Sequence, residues 1–207
     1  MKLYSIQASN NCRRANAVIQ HLGLDVELVE PSLPAGDLKK PDYVALNPNS
    51  KVPTLVDGDF NLWESRAIMH YLAAQKPGNS LLPSDPKAQA DILRWQFWET
   101  AHLSVGTAAF AFENLFKRIF MNLDPDPAAL AAGEKSFRTF APVLDKHLAG
   151  RSFLVGDGVT LADFSVGACF SYAAVSGLPW GDYANVRAWC ARLDEIPAWK
   201  NTAPRLA

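Results

Sequence analysis

At 207 residues the chain is long for one compact domain and sufficient for two small ones, and its formal net charge of -1 leaves no excess of either sign. With 49% hydrophobic residues it can bury a core without a disulfide or metal staple. The even charge balance excludes the basic footprint that nucleic acid or an anionic membrane would need. Cys12, Cys169 and Cys190 are odd in number and widely spaced, with no CxxC pair and no zinc pattern, which points to a reducing compartment and no metal. Residues 1–6 lack a basic stretch leading into an apolar core. The longest nearly apolar stretch, 164–180, is broken by serines and Pro179, and is shorter than the ~20 residues of a spanning helix. These features lead to the expectation of a soluble, cytoplasmic protein.

Residues 2–6 predict a short strand, followed by a polar loop at 7–11. A helix follows from Cys12, because Ala15, Val18, Ile19 and Leu22 recur at the spacing of one buried face and Gly23 ends it. Residues 26–30 predict a strand and 37–46 a polar, irregular helix. Residues 53–56 and 60–63, joined by the Asp57-Gly58-Asp59 turn, predict a hairpin, and a helix follows at 65–74. The first 76 residues therefore read βαβαββα. A Pro/Gly/Ser-rich stretch at 77–86 is the expected linker, and strand signals vanish beyond it. Residues 87–121 predict one long, aromatic-rich helix, stopped by Pro125 and Pro127, and 128–148 another. Val186, Trp189, Cys190 and Leu193 mark a last helix with Pro197 as its stop, so 87–207 reads as an all-helical domain. In Val159-Thr160-Leu161-Ala162-Asp163-Phe164, Thr160 is a natural N-cap, Asp163 closes a capping box, and Val159 with Phe164 forms a hydrophobic staple.

Four segments, taken in order, resemble the cytosolic glutathione transferase family over essentially the whole chain. They are Lys2-Leu3-Tyr4-Ser5 with Ser9 and Arg13-Arg14; Asn47 to Leu55; Trp63-Glu64-Ser65-Arg66-Ala67-Ile68; and Gly158 to Asp163. The active loop is similar to that of the serine-using phi and theta-like groups and many bacterial enzymes. The resemblance implies a thioredoxin-like glutathione-binding domain plus a helical domain, working as a homodimer in detoxification, with glutathione as co-substrate.

The resemblance also assigns sites. Val52-Pro53 resembles the family's cis-proline turn, which would leave the Val52 backbone free to pair with the cysteinyl backbone of glutathione. Ser65 is expected to cap the helix it opens, with nearby N–H groups facing a carboxylate and Glu64 accepting from an ammonium, the two groups of a γ-glutamyl end. Lys51 and Lys39 (or Lys40) are candidates for the glycyl carboxylate.

The chemical task in this family is to present glutathione as a thiolate. Lowering a thiol pKa from ~8.5 by about two units requires about 2.7 kcal/mol of preferential thiolate stabilisation. One hydroxyl hydrogen bond to a charged group contributes roughly 1.5–3 kcal/mol, and a helix N-terminus adds a fraction to one more. Ser9, just before the first helix, matches the family position. Cys12 is an alternative: in a first helical turn beside Arg13 and Arg14 it is expected to have a depressed pKa, which would suit a glutathione-dependent disulfide oxidoreductase. Asn10, Asn11 or a loop N–H is a third option, while Tyr4, inside a strand, reads as packing. The electrophile site is expected along the long helix, with Trp98, His102 and Phe110 and the neighbouring Gly106 and Phe112. A non-catalytic ligand-binding module is a further reading of the fold, and an isomerase reading is weakened by Ser9-Asn10-Asn11-Cys12, where the zeta class carries Ser-Ser-Cys.

Overall fold

The computed structural model describes residues 1–206. Strand β1 (Lys2–Tyr4) is followed by helix α1 (Asn10–Leu22) and strand β2 (Glu27–Val29). A single 3-10 turn at Asp37–Lys39 leads to α2 (Pro41–Leu46), then β3 (Thr54–Asp57), β4 (Phe60–Trp63) and α3 (Ser65–Ala74). The sheet order is β2-β1-β3-β4. β1 and β2 run parallel with Leu3 opposite Leu28, while β1–β3 and β3–β4 are antiparallel, with Leu3 opposite Leu55 and Leu55 opposite Leu62. This is the expected thioredoxin-like βαβαββα order, and it follows from local signals. Gly23 takes the left-handed conformation (φ 58°) that closes α1 and turns the chain into β2. Leu3, Ala15, Val18, Leu55, Ile68 and Leu72 are all fully buried, so strand alternation and helical periodicity converge on one core.

The second compact unit, Ser84–Glu195, is helical. Asp85 caps α4 (Pro86–Trp98) by accepting from the Ala88 amide at 3.0 Å. The run continues through α5 (Ser104–Ala111) and α6 (Lys117–Met121), as the single long helix predicted from the sequence, but two wide turns interrupt it at Glu99–Leu103 and Phe112–Phe116. There the Ser104 and Lys117 amides reach back five residues, to the carbonyls of Glu99 and Phe112. Glu99 is fully buried and accepts from Cys169 Sγ at 3.0 Å and Ser165 Oγ at 3.3 Å.

Helix α7 (Pro127–Leu148) crosses α5 closely: an added Cβ on Gly133 would stand 2.6 Å from Ala109 Cβ. Helix α8 (Leu161–Gly167) is buried at every position and takes in only the first four residues of the apolar stretch 164–180. The Asp163 carboxylate closes the expected box by accepting from the Thr160 amide at 2.9 Å and hydroxyl at 3.1 Å. It accepts also from Leu154 N and Trp189 Nε1, and burial pushes its carboxyl above the usual range against these four bonds.

Helix α9 (Ala184–Asp194) completes this unit. The chain from Ile196 on groups with Met1–Pro83, whereas the sequence placed it in the helical domain. Pro197 lies three residues beyond the end of α9, as its expected stop, and also opens α10 (Pro197–Asn201), a position that suits proline because the first helical N–H has no partner to lose. The attachment is specific: Arg13 Nη2 donates to the Trp199 carbonyl at 3.0 Å and its guanidinium lies 3.6 Å above the Trp199 ring. No helix among the described residues is long and apolar enough to cross a membrane.

Candidate functional site

The segment between α2 and β3 is shaped by one amide. Asn47, 2% exposed, donates from Nδ2 to the Lys51 carbonyl and to Thr54 Oγ1, both at 2.9 Å. Its Oδ1 accepts from the Asn49 amide at 3.0 Å and from Asn49 Nδ2 at 3.1 Å. Tyr43 adds a hydroxyl bond of 2.6 Å to the same Lys51 carbonyl, and burial, the main cause, lifts its pKa above the ordinary phenol value, so it remains a donor. The loop is thereby held from the inside while the Lys51 side chain stays exposed. Within it the Val52–Pro53 bond is cis. Neither the N–H nor the C=O of Val52 has a hydrogen-bond partner among the described residues.

Across from this loop, β4 passes into α3 through Glu64, whose backbone sits at φ 72° and ψ 110°. A non-glycine residue held there costs on the order of 1–3 kcal/mol and persists only where the surroundings over-determine it. Glu64 is the N-cap, and Ser65 is the first helical residue, so the expectation that Ser65 caps the helix is corrected. The chain turns one residue earlier than the helix-start signal suggested, and no side chain caps α3. Ser65 is 3% exposed, and its hydroxyl has no hydrogen-bond partner among the described residues.

An open cleft of about 180 Å³ lies between the two segments. Lys51, Val52 and Pro53 line one side and Glu64, Ser65 and Arg66 the other, with Asn11, Asn47, Asn49 and Trp63 completing it. Five residues expected from the sequence to hold a peptide ligand therefore surround one space: Lys51, Val52, Pro53, Glu64 and Ser65. Asn47, Asn49, Trp63 and Arg66 lie within the segments that carried the family resemblance but drew no site assignment. The signal for Asn47 was available: a short amide six residues before Pro53, in a loop that must satisfy its own carbonyls. Lys39 is exposed and stands outside the cleft, and Lys40 pairs with Asp37 at 2.6 Å.

The start of α1 presents four of the candidates for thiol activation, Ser9 just before the helix and Asn10, Asn11 and Cys12 in its first turn. Ser9 is half-buried and serves as the N-cap, in extended conformation (φ −93°, ψ 120°), with Oγ accepting from the Cys12 amide at 3.3 Å. Asn10 opens the helix, and Asn11 is exposed toward the cleft, accepting from Arg14 Nη1 at 2.5 Å. Cys12 is fully buried, and burial pushes its thiol up rather than down, only partly opposed by bonds from the Ile6 amide and from Ser9 and Ser5. The expected low-pKa cysteine is therefore corrected. Arg13 and Arg14 are themselves buried and committed, to Trp199 and Asn11, and desolvation of the sulfur outweighs the helix end. Tyr4 meets Tyr43 edge-on at 5.3 Å, the packing role expected of it.

In the helical unit His102 is half-buried and stacks on Phe140 at 4.6 Å, and Trp98 stands edge-on to both Trp95 and Phe140. Phe110, 7% exposed, belongs to the core beside Gly133 rather than to an open surface. Its helical spacing served packing, the ordinary use of an aromatic stripe. Among the described residues no group of three or more His, Cys, Asp or Glu side chains could hold a metal ion.

A thioredoxin-like sheet with a cis-proline loop facing an uncapped helix end defines the class as a thioredoxin relative, and similarity to known proteins narrows it. The family model described as glutathione S-transferase, N-terminal domain, matches residues 1–74, and the corresponding C-terminal domain model matches 127–192. A glutathione S-transferase of Hyoscyamus muticus is 35% identical, aligned over 96% of this chain and 95% of its own. Glutathione S-transferase 3 of Zea mays is 33% identical, over 98% and 92%. The crystal structure of glutathione transferase F7 from Populus trichocarpa superposes with a TM-score of 0.90 at 26% identity, covering 98% of this chain and 97% of the other. The chain belongs to the glutathione S-transferase family.

Proposed function

We propose that this transferase conjugates the thiolate of glutathione to small, mostly apolar electrophiles, with the Ser9 hydroxyl stabilising the thiolate as in the serine-using, phi- and theta-like members. The observation that carries this reading is the geometry of Ser9. As N-cap its oxygen accepts from the Cys12 amide, and its hydroxyl, which also bears on the Cys12 sulfur, can turn to donate to a glutathione sulfur anion. A donated bond of that kind supplies roughly 1.5–3 kcal/mol, most of the about 2.7 kcal/mol that a two-unit shift requires. Val52, with an unengaged backbone N–H and C=O, suits an extended cysteinyl residue paired like an added strand. The uncapped start of α3 and the free Ser65 hydroxyl suit the γ-glutamyl carboxylate, with Glu64 accepting from its ammonium. Lys51 pairs the glycyl carboxylate, and Lys39 gives weaker, solvated support. Trp98 and His102 contribute to electrophile binding as an apolar edge. The protein works as a cytoplasmic homodimer in detoxification.

The test follows thiolate absorbance of bound glutathione against pH in wild type and Ser9→Ala. The expected outcome is a bound thiol pKa about two units below the free value of ~8.5, with most of that shift lost in Ser9→Ala. Unchanged conjugation and an unchanged thiol pKa in Ser9→Ala would remove Ser9 from the mechanism.

A further inference from the structure

Cys12 is a fully buried nucleophile that the proposed reaction leaves unused, and two of its hydrogen bonds, beside the Ser5 and Ser9 hydroxyls that bear on its sulfur, say where it acts instead. The Ile6 amide donates to Cys12 Sγ at 3.3 Å, and the Cys12 amide donates to Ser9 Oγ at 3.3 Å. Between these, the Ser9 amide donates to the Ile6 carbonyl at 3.0 Å and closes the turn over Gln7 and Ala8. Residue 12 thus grips both ends of the segment that carries Ser9, one end through its side chain and the other through its backbone. One residue upstream, Ser5 is tied to α1 as well: Asn16 Nδ2 donates to Ser5 Oγ at 3.0 Å. The strand end, the turn and the first helical turn form one hydrogen-bonded unit, and the Cys12 sulfur is its innermost acceptor.

We propose that Cys12 is a positioning residue for the thiol-activating serine: its sulfur holds the Ile6 end of the turn while its amide orients the Ser9 oxygen, so that the Ser9 hydroxyl meets the glutathione sulfur at a fixed angle. The inference rests on the reading of Ser9 given above. Sulfur is a weak acceptor, so the bond itself contributes little, but an apolar replacement leaves the Ile6 N–H without a partner. The turn can then recover only by rotating that amide toward water, which moves Ser9 with it. The charged or titratable groups that bear on Cys12 are Glu30 and, from α2, Tyr43, and neither is altered by the substitutions below.

The experiment measures the bound glutathione thiol pKa, kcat and the KM for glutathione in wild type, Cys12→Ala, Cys12→Ser, Ser9→Ala and the double variant Ser9→Ala/Cys12→Ala. Cys12→Val, which fills the pocket without an acceptor, replaces Cys12→Ala if the smaller side chain prevents folding. Cys12→Ala is expected to raise the thiol pKa by about half a unit to one unit and lower kcat about three- to tenfold, with KM within about twofold. Cys12→Ser, which keeps an acceptor, restores most of the loss. Added to Ser9→Ala, the Cys12 substitution produces no further pKa change, because its effect passes through the Ser9 hydroxyl. A lower melting temperature with unmoved pKa and kcat would reduce Cys12 to packing and overturn the inference, as would an equal pKa change in the Ser9→Ala background. A Ser9→Ala variant with an unshifted thiol pKa would instead remove the reading on which the inference stands.

Discussion

Replacing Asn47 by alanine tests whether the loop network positions a ligand or only completes the fold. Four hydrogen bonds leave with the amide, but they are not equal. The two to Asn49 face an exposed residue and are taken over by water. The two from Nδ2 are internal, yet neither acceptor is orphaned. The Lys51 carbonyl keeps the Tyr43 hydroxyl at 2.6 Å, and the Thr54 hydroxyl keeps either that carbonyl at 3.2 Å or Tyr43 at 2.9 Å. The loss is therefore two net hydrogen bonds without a desolvation penalty, about 2 kcal/mol. If the whole of that order is required for glutathione to pair with Val52, affinity falls about 30-fold, and if half of it, about fivefold. Isothermal titration with glutathione, beside urea unfolding of the same preparation, separates the two effects. The expected result is a Kd five- to thirtyfold weaker, on the order set by those two bonds, with unfolding still cooperative. A stability loss of about 2 kcal/mol with a Kd inside twofold of wild type would refute the reasoning, because the network would then support the fold without setting the loop.

Two further outcomes follow from buried carboxylates. Asp163→Ala strands three buried donors, the amides of Leu154 and Thr160 and the Trp189 indole, and is expected to cost about 3–6 kcal/mol in urea unfolding followed by tryptophan fluorescence; a loss under about 1 kcal/mol would contradict the hydrogen-bond account. Glu113 is held below the usual carboxylate range first by Lys117 and then by the Asp126 amide. Its folded state thus binds a proton less readily than the unfolded chain. The stability it contributes is complete above the ordinary value of 4.5 and is lost as pH falls below that through the folded pKa, so Glu113→Gln should flatten the acid limb of a stability–pH profile. An acid limb of unchanged steepness would show that the pair is not linked to folding.

Val52-Pro53 and Glu64-Ser65 were legible as the two sides of a peptide site through the family resemblance of their segments, which were visible because each is a run of neighbouring residues. The Thr160–Asp163 box was legible for the same reason. The internal support of the loop was not, since Asn47 and Tyr43 act through a carbonyl whose other donors become neighbours only after β3 pairs with β1. Phe110 and Phe112 shared one helical run in the sequence, and only packing against α7 separates the buried ring from the one that is 46% exposed.

The sequence by itself determined the order of elements and the helix ends marked by glycine, proline and acidic caps, because each depends on interactions within a few positions of the chain, while five residues of the cleft were expected from the family resemblance. Tertiary structure alone decided the state of the groups. It made Cys12 a desolvated thiol with a raised pKa although its helical position and arginine neighbours predicted the reverse. It also carried Arg13 to Trp199, 186 residues away, and so brought α10 back to the first helix. Desolvation and long-range pairing depend on everything packed around a group, and no local pattern of residues states what that will be.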